Sequence, residues 1–140
     1  MRIVIDTNVW VSGLLWRGNA WRLLQLAEQG DIELCITHSM LLELEEVLAY
    51  DRLRERVALL GYTSSQLASY ALTLATPFDV ARGFLPIVND DPDDDVFILC
   101  AAEANADYVV TNDRHLLALG TYQEIPIVAL DVFLAQEFDG

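Results

Sequence analysis

The stretch NDDPDDDVFILCAAEANADYVVTND, residues 89–113, joins an acidic run to an apolar segment and then returns to an acid. Five aspartates lie between Asp90 and Asp95, interrupted only by Pro92. The Ala-rich run that follows is typical of a closely packed helix, and the β-branched residues of 107–111 predict a buried strand. The stretch therefore predicts a helix and then a strand, with carboxylates where the helix begins and where the strand has ended.

Short apolar strands and helices alternate along the rest of the chain. Strands are predicted at 2–5, 32–37, 107–111 and 125–130. Helices are predicted at 18–30, 40–50, 51–61, 63–75, 93–106, 113–119 and 131–138. Gly30 and Gly61 are the expected ends of the first and third helices, Ser39 is the expected N-cap of the second, and Pro77 is expected to end the fourth. A loop is expected around Trp10, which is expected to pack in the core.

This alternation predicts an α/β fold, in which a mainly parallel central sheet lies between helices on both faces. The chain has 140 residues, which is enough for one domain with its own core, and the predicted architecture is a single domain of three layers. A hydrophobic content of 54% with 21% charged residues is typical of a compact globular protein. Repeats, linkers and low-complexity segments are absent from the sequence.

The sequence gives no sign of a membrane segment or an export signal. Its apolar runs are shorter than the roughly 18 residues that a spanning helix needs. Asp6 interrupts an N-terminal apolar run that is too short for a signal peptide. Cys35 and Cys100 both lie in apolar runs, which favours reduced core residues over a disulfide or a metal pair. We therefore expect a cytoplasmic protein.

The charge of the chain is strongly one-sided. The formal net charge is −14, lysine is absent, and all eight basic residues are arginines. Such acidity argues against a broad basic face for nucleic acid. It leaves room for a local groove lined by arginine, and it suits a basic protein partner.

Acidic residues from distant parts of the chain follow the predicted strands. Asp6 comes directly after strand 2–5, Asp113 follows strand 107–111, and Glu43 lies one or two turns into the helix after strand 32–37. Ligands of open parallel sheets bind beyond the carboxyl ends of the strands. We therefore expect these acids to meet at one edge of the sheet, where the helix after the Asp run can also begin.

A cluster of carboxylates at this edge predicts a metal site. Like charges a few ångströms apart repel each other, which raises their pKa values unless a cation is bound. Hard carboxylate oxygens suit Mg²⁺ or Mn²⁺ better than zinc. Such an ion can activate water and stabilise charge on a phosphate, so the cluster is typical of phosphoryl chemistry.

Four motifs in order resemble the PIN-domain ribonucleases, and the resemblance covers essentially the whole chain. IVIDTNVWVSGLL resembles the opening strand of that family with its DTN signature, and HSMLLELEEVL resembles the helix that carries the second acid. DDDVFILCAAEANADYVVTND resembles the segment with the third and fourth acids. The DPDDD and TNDRHLLALG patterns are most similar to the bacterial, VapC-like toxin components of toxin–antitoxin pairs.

The resemblance implies a metal-dependent endoribonuclease that leaves 5′-phosphate and 3′-hydroxyl ends. It implies an RNA substrate, a cognate antitoxin protein as partner, Mg²⁺ or Mn²⁺ as cofactor, and it allows a homodimer. The implied catalytic acids are Asp6, Glu43, Asp95 and Asp113. The implied metal ligands are Asp6, Glu43, Asp94, Asp95 and Asp113. Asn8 and Thr111 match polar positions that orient the acids or a water.

Several of these residues also have simpler interpretations. Asp6 and Asp113 can each cap a turn or helix, Asp90 and Asp91 favour a solvated loop, and His115 favours a surface helix position. The candidate RNA contacts are Arg17, Arg52, Arg54 and Arg56, together with Trp16 as a base-stacking residue.

Two other functions fit part of the sequence. A phosphatase of the haloacid-dehalogenase type needs a second acid two residues after Asp6, where this chain has Asn8. A catalytically inactive PIN-like module that binds RNA or protein stays open as the alternative.

Overall fold

A computed structural model describes residues 1–79 and 95–139 of the chain. The strands are β1 (Arg2–Ile5), β2 (Glu33–Ile36), β3 (Ala75–Pro77), β4 (Tyr108–Val110), β5 (Thr121–Tyr122) and β6 (Ile125–Val128). The helices are α1 (Thr7–Leu15), α2 (Asn19–Glu28), α3 (His38–Leu48), α4 (Asp51–Leu59), α5 (Ser64–Leu74), α6 (Asp95–Ala104), α7 (Arg114–Leu117) and α8 (Leu130–Glu137).

In the part of the chain that the structure describes, six strands form one sheet in the order β3-β2-β1-β4-β6-β5. The pairs β1–β2, β1–β4, β2–β3 and β4–β6 are parallel, and β5–β6 is antiparallel. The central strand β1 is the most deeply buried, with Ile3, Val4 and Ile5 fully inaccessible to solvent. The predicted α/β class with a mainly parallel sheet is confirmed.

The order of the strands explains the layers. From β1 the chain steps outward to β2 and β3 through α1–α5, and it then returns across the sheet through α6 to β4 on the other side of β1. Connections between parallel strands are almost always right-handed. When the chain changes the direction in which it crosses the sheet, the connecting helix therefore lies on the opposite face of the sheet. The carboxyl ends of β1 and β4 lie side by side, with Ile5 opposite Val110.

The segment predicted as a loop after β1 is instead helix α1. Asp6 is its N-cap, and the Asp6 carboxylate accepts a hydrogen bond of 2.8 Å from the Val9 N–H. The sequence of α1 contains valine, tryptophan and glycine, which are weak helix formers, so its local signal is poor. Burial of its side chains stabilises the helix despite this weak propensity, since Trp10 and Leu15 are each only 1% exposed. The expected burial of Trp10 is confirmed, although its indole N–H has no hydrogen-bond partner among the described residues.

Two further expectations about element ends were wrong. Thr37, rather than Ser39, is the N-cap of α3, and its hydroxyl accepts from the Met40 N–H. Helix α5 ends at Leu74, before Pro77, because the following residues pair with β2 as the edge strand β3. Proline is tolerated at such an edge, where a ladder N–H is dispensable.

Other local features agree with the sequence pattern. Gly30 and Gly61 adopt positive φ angles of 85° and 81° just beyond α2 and α4. Cys35 and Cys100 are buried free thiols, as expected, and burial raises the pKa of Cys35 to about 11 and the pKa of Cys100 to about 12. Among the described helices, none combines the length and the apolar character that a bilayer crossing requires.

Candidate active site

Asp6 occupies the junction between β1 and α1 at the carboxyl edge of the sheet. The residue is only 5% exposed. One carboxylate oxygen accepts the hydrogen bond from Val9 that caps α1, and the other accepts a short hydrogen bond from the Thr111 hydroxyl. Both oxygens are therefore fixed by the strand-to-helix turn and by the neighbouring strand.

Thr111 links Asp6 to the second acid of the site. It follows β4 and is fully buried. Its hydroxyl donates to Asp6 and accepts a hydrogen bond of 2.9 Å from the Asp113 N–H. The Asp113 carboxylate caps α7 by accepting from the N–H groups of His115 and Leu116 at 2.8 and 3.3 Å. One threonine thus joins two acids that are 107 residues apart in the sequence. The role of Thr111 in orienting the acids of an active site stays a prediction.

The two acids line one cavity of about 420 Å³. Its polar lining comprises Asp6, Asn8, Ser12, Asn112, Asp113, Arg114 and His115, and its apolar lining comprises Val9, Ala20 and Leu130. The volume lies within the range of roughly 300–1,000 Å³ that is usual for ligand sites. The structure therefore brings the predicted residues Asp6, Asn8 and Asp113 to one cavity, with Thr111 behind them.

Burial and charge oppose each other at Asp6. Burial raises the pKa of the Asp6 carboxyl above its ordinary value of 3.8, and the nearby charge of Asp113 raises it further. The hydrogen bonds from Thr111 and Val9 lower the pKa and so partly offset the cost of burial. Without a cation, ionising Asp6 is therefore less favourable than ionising an exposed carboxyl group, and a bound metal would relieve that cost.

The donor set at the cavity suits a hard divalent cation. Asp6 and Asp113 supply carboxylate oxygens, and Asn8 and Asn112 add amide oxygens beside them. Oxygen donors of this kind favour Mg²⁺ or Mn²⁺ over softer metals. Within residues 1–79 and 95–139, however, no group of three or more histidine, cysteine or acidic side chains converges to hold a metal. The described residues thus fit part of a metal site, with two acids in place.

The other predicted acids are placed less completely. Glu43 lies half-buried on α3 and is not among the residues that line this cavity. Asp95 begins α6, whereas its side chain and the whole of Asp94 lie outside the described residues. The expectation that Glu43, Asp94 and Asp95 complete the cluster therefore stays a prediction.

The four arginines predicted to contact RNA all have partners within the protein. The pairs are Arg17 over Trp21, Arg52 over Tyr50, Arg54 with Asp51, and Arg56 with both the Trp16 ring and the Leu15 carbonyl. Arg56 has a structural task, because its Nε donates at 2.8 Å to the last residue of α1. Trp16, predicted as a base-stacking residue, is 45% exposed with Arg56 over its ring.

Four polar lining residues, Ser12, Asn112, Arg114 and His115, were absent from the predicted site. Ser12 was missed because α1 was not expected, although its spacing four residues after Asn8 would have placed both on one helix face. Asn112 accepts from the Leu130 N–H at 3.3 Å, a partner that the sequence does not indicate. Arg114 and His115 follow Asp113 directly, and that adjacency was the available signal for both.

Known proteins resemble this chain over most of its length. Residues 2–115 match the PIN domain family. Among solved structures, the chain is similar to the crystal structure of VapBC2 from Rickettsia felis bound to a DNA fragment from their promoter, with a TM-score of 0.58 and 16% sequence identity over 91% of this chain and 97% of that chain. Comparison with curated proteins gave no match. Since the family match spans well over half of the chain and agrees with the sheet and its flanking helices, the chain belongs to the PIN domain family.

Proposed function

We propose that this protein is a metal-dependent endoribonuclease and the toxin component of a toxin–antitoxin pair. PIN domains are in general nucleases, and divalent metal ions are their typical cofactors. One observation carries the proposal to this chain: Asp6 and Asp113, joined through Thr111, line a single open cavity at the carboxyl edge of the sheet. That edge is where open α/β folds bind their ligands.

Mg²⁺ or Mn²⁺ would be held by Asp6 and Asp113, with Glu43, Asp94 and Asp95 as the remaining acids of the proposed set. When bound, such an ion activates a water nucleophile and stabilises charge on the phosphate that is attacked. The proposed products carry 5′-phosphate and 3′-hydroxyl ends.

The residues of this chain contribute mainly by holding the acids in place. Thr111 donates to one oxygen of Asp6 and the Val9 N–H donates to the other, so the carboxylate cannot rotate freely. Asp113 is fixed in the same way by the first turn of α7. Such preorganisation lets acids act on a phosphate without first being reoriented.

The partner and the compartment follow from the same proposal. The similar Rickettsia felis structure contains VapBC2 with promoter DNA, and we propose an antitoxin partner for this chain as well. A partner with basic segments would complement a net charge of −14. We place the activity in the cytoplasm, where buried free thiols such as Cys35 and Cys100 stay reduced.

Hydrolysis of single-stranded RNA by purified protein, with and without Mg²⁺ or Mn²⁺, tests the proposal. We expect cleavage that depends on the metal. Asp113→Asn removes one carboxylate but keeps a side chain able to cap α7, so the variant should fold while cleavage falls more than about 100-fold. Even changes in the outer shell of a metal site typically cost about 10- to 100-fold.

Asp51→Asn is the matched control, because Asp51 is an exposed acid in the first turn of α4 and does not line the cavity. It should cleave like wild type. Cleavage that needs no metal, or equal losses in the two variants, would contradict the proposed site. Absence of cleavage by wild type across varied RNAs would instead favour the inactive binding module.

A further inference from the structure

The arginines in the described part of the chain differ in how their guanidinium groups are engaged. The engaged ones are Arg2 with Glu33, Arg22 with Asp139, Arg54 with Asp51, Arg56 with the Leu15 carbonyl, Arg17 over Trp21 and Arg52 over Tyr50. Arg114 is the exception, since its guanidinium has no hydrogen bond, ion pair or aromatic partner among residues 1–79 and 95–139. In a chain with a net charge of −14, an arginine that has no acidic partner in the described ranges needs an explanation.

The position of Arg114 is closely defined by its neighbours. It is the first residue of α7 and follows Asp113, whose carboxylate accepts the N–H groups of the next two residues. The same Asp113 is held from the other side by the Thr111 hydroxyl. The backbone that carries Arg114 is therefore tied to the acid pair, and Arg114 lines the cavity together with Asp6 and Asp113.

Asp6 and Arg114 differ in their exposure to solvent. Asp6 is only 5% exposed, whereas Arg114 is an exposed residue. Asp6 is thus at the inner wall of the cavity, Asp113 is half-buried, and Arg114 is at the solvent side. A strand whose cleaved phosphate reaches the acids would carry its neighbouring phosphates past the outer wall.

The exposed guanidinium of Arg114 is suited to bind a phosphate of RNA. RNA is a polyanion, and an approach to a cavity lined by carboxylates in an acidic protein is unfavourable without a local positive group. The planar guanidinium of arginine donates two parallel hydrogen bonds to a phosphate, which a lysine ammonium cannot do. Arg114, which has no partner among residues 1–79 and 95–139, would break no contact with those residues when it binds such a phosphate.

We propose that Arg114 is a substrate-binding residue that binds an RNA phosphate next to the one that is cleaved. This inference rests on the proposed nuclease function and assigns a residue to its substrate. Because a flanking phosphate is bound equally in the ground state and the transition state, its contact should lower KM and leave kcat nearly unchanged.

The test compares Arg114→Gln with Arg22→Gln, in which a half-exposed arginine that pairs with Asp139 and does not line the cavity is removed. Each substitution changes the net charge from −14 to −15. Cleavage of a short single-stranded RNA in Mg²⁺ gives kcat and KM, and fluorescence anisotropy in Ca²⁺, which is expected to suppress turnover, gives the affinity for RNA at several NaCl concentrations.

Arg114→Gln should raise KM and weaken binding about tenfold, with kcat within about twofold of wild type. The slope of log affinity against log salt concentration should fall by about 0.7, as expected for the loss of one phosphate contact to a single strand. Arg114→Lys should restore the slope and only part of the affinity. Arg22→Gln should resemble wild type in all of these measurements.

Equal behaviour of Arg114→Gln and Arg22→Gln would overturn the inference, and so would a fall in kcat at constant KM. The proposed nuclease function can fail separately. If wild type binds RNA but never cleaves it, and Arg114→Gln still binds about tenfold more weakly, the nuclease is lost and the Arg114 contact stands.

Discussion

Asp6 combines a folding task with a chemical one. The carboxylate caps α1 and accepts from Thr111, so two of its hydrogen bonds belong to the fold. The same residue lines the cavity that it shares with Asp113. The interpretation of Asp6 as a simple cap and the interpretation as a site residue are therefore compatible, because a cap holds the carboxylate still.

The raised pKa of Asp6 predicts how stability depends on pH in the absence of metal. The folded state holds this proton more firmly than the unfolded chain, where the pKa is close to the ordinary 3.8. The stabilising contribution is therefore complete below that value and is lost as the pH rises through the folded pKa. With EDTA present, we expect Asp6→Asn to gain stability relative to wild type between pH 4 and pH 7, as measured by urea unfolding.

The same variant should change the response to metal. Millimolar Mg²⁺ or Mn²⁺ should raise the Tm of wild type, because the ion binds the folded site, and Asp6→Asn should show no rise. A wild-type Tm that is indifferent to both ions would count against a metal site at Asp6. A stability difference that is constant from pH 4 to pH 7 would show that the Asp6 carboxyl does not titrate as described.

At the scale of elements, the contact between α1 and α2 sets the width of the cavity. Val9 and Ser12 of α1 and Ala20 of α2 all line it. The two helices approach closely at Gly13, where an added Cβ would lie 2.7 Å from Leu24 Cδ1 and 2.9 Å from the Ala20 carbonyl oxygen. Arg56 of α4 holds the end of α1 through the Leu15 carbonyl, so this helix is fixed at both ends.

Gly13→Ala should therefore destabilise the protein by about 1–3 kcal/mol, since overpacking at a backbone contact forces the helices apart. The gain in helix propensity, about 1 kcal/mol, only partly offsets this cost. Gly18→Ala is the control, because a Cβ there meets nothing within 4 Å. Urea unfolding should show the larger loss for Gly13→Ala, and an equal or smaller loss would mean that the helices can separate freely.

At the scale of the whole molecule, the charge of −14 is the dominant property. Most arginines of the described chain are engaged by acids, carbonyls or aromatic rings of the protein itself. The acidic surface that remains attracts basic segments of a partner and repels nucleic acid except where a local cation intervenes.

We therefore expect a small protein with Arg- and Lys-rich amphipathic segments, encoded beside this chain, to copurify with it and to inhibit RNA cleavage. Its affinity should fall as NaCl rises from about 0.1 M to about 1 M, where the screening length shortens from about 10 Å to about 3 Å. Titration calorimetry across this range would measure the change. Purification as a free species with no such neighbour would favour a nuclease without an antitoxin.

The sequence by itself determined the α/β class, most helices and strands, and the two acids at the ends of β1 and β4. These features depend on periodicity and on local chemistry. The Thr63–Gln66 capping box, for example, needs only residues within one turn. Acids that follow predicted strands can be assigned to the site in the same way, because parallel strands have their carboxyl ends at one edge of the sheet.

Only the tertiary structure decided the features that depend on distant residues. Helix α1 forms because the burial of its side chains outweighs its weak helix propensity. The edge strand β3 forms because its backbone hydrogen-bonds to β2. Thr111 reaches Asp6 across 105 residues, and Arg56 reaches Leu15 across 41. The contacts of each arginine in the described ranges likewise depend on neighbours brought together by the fold. For this reason Arg56 became a structural residue and Arg114 the candidate for RNA. Sequence patterns indicate the local secondary-structure preference and the burial of a residue. The contact partner of a side chain is determined only when the folded chain brings distant residues together.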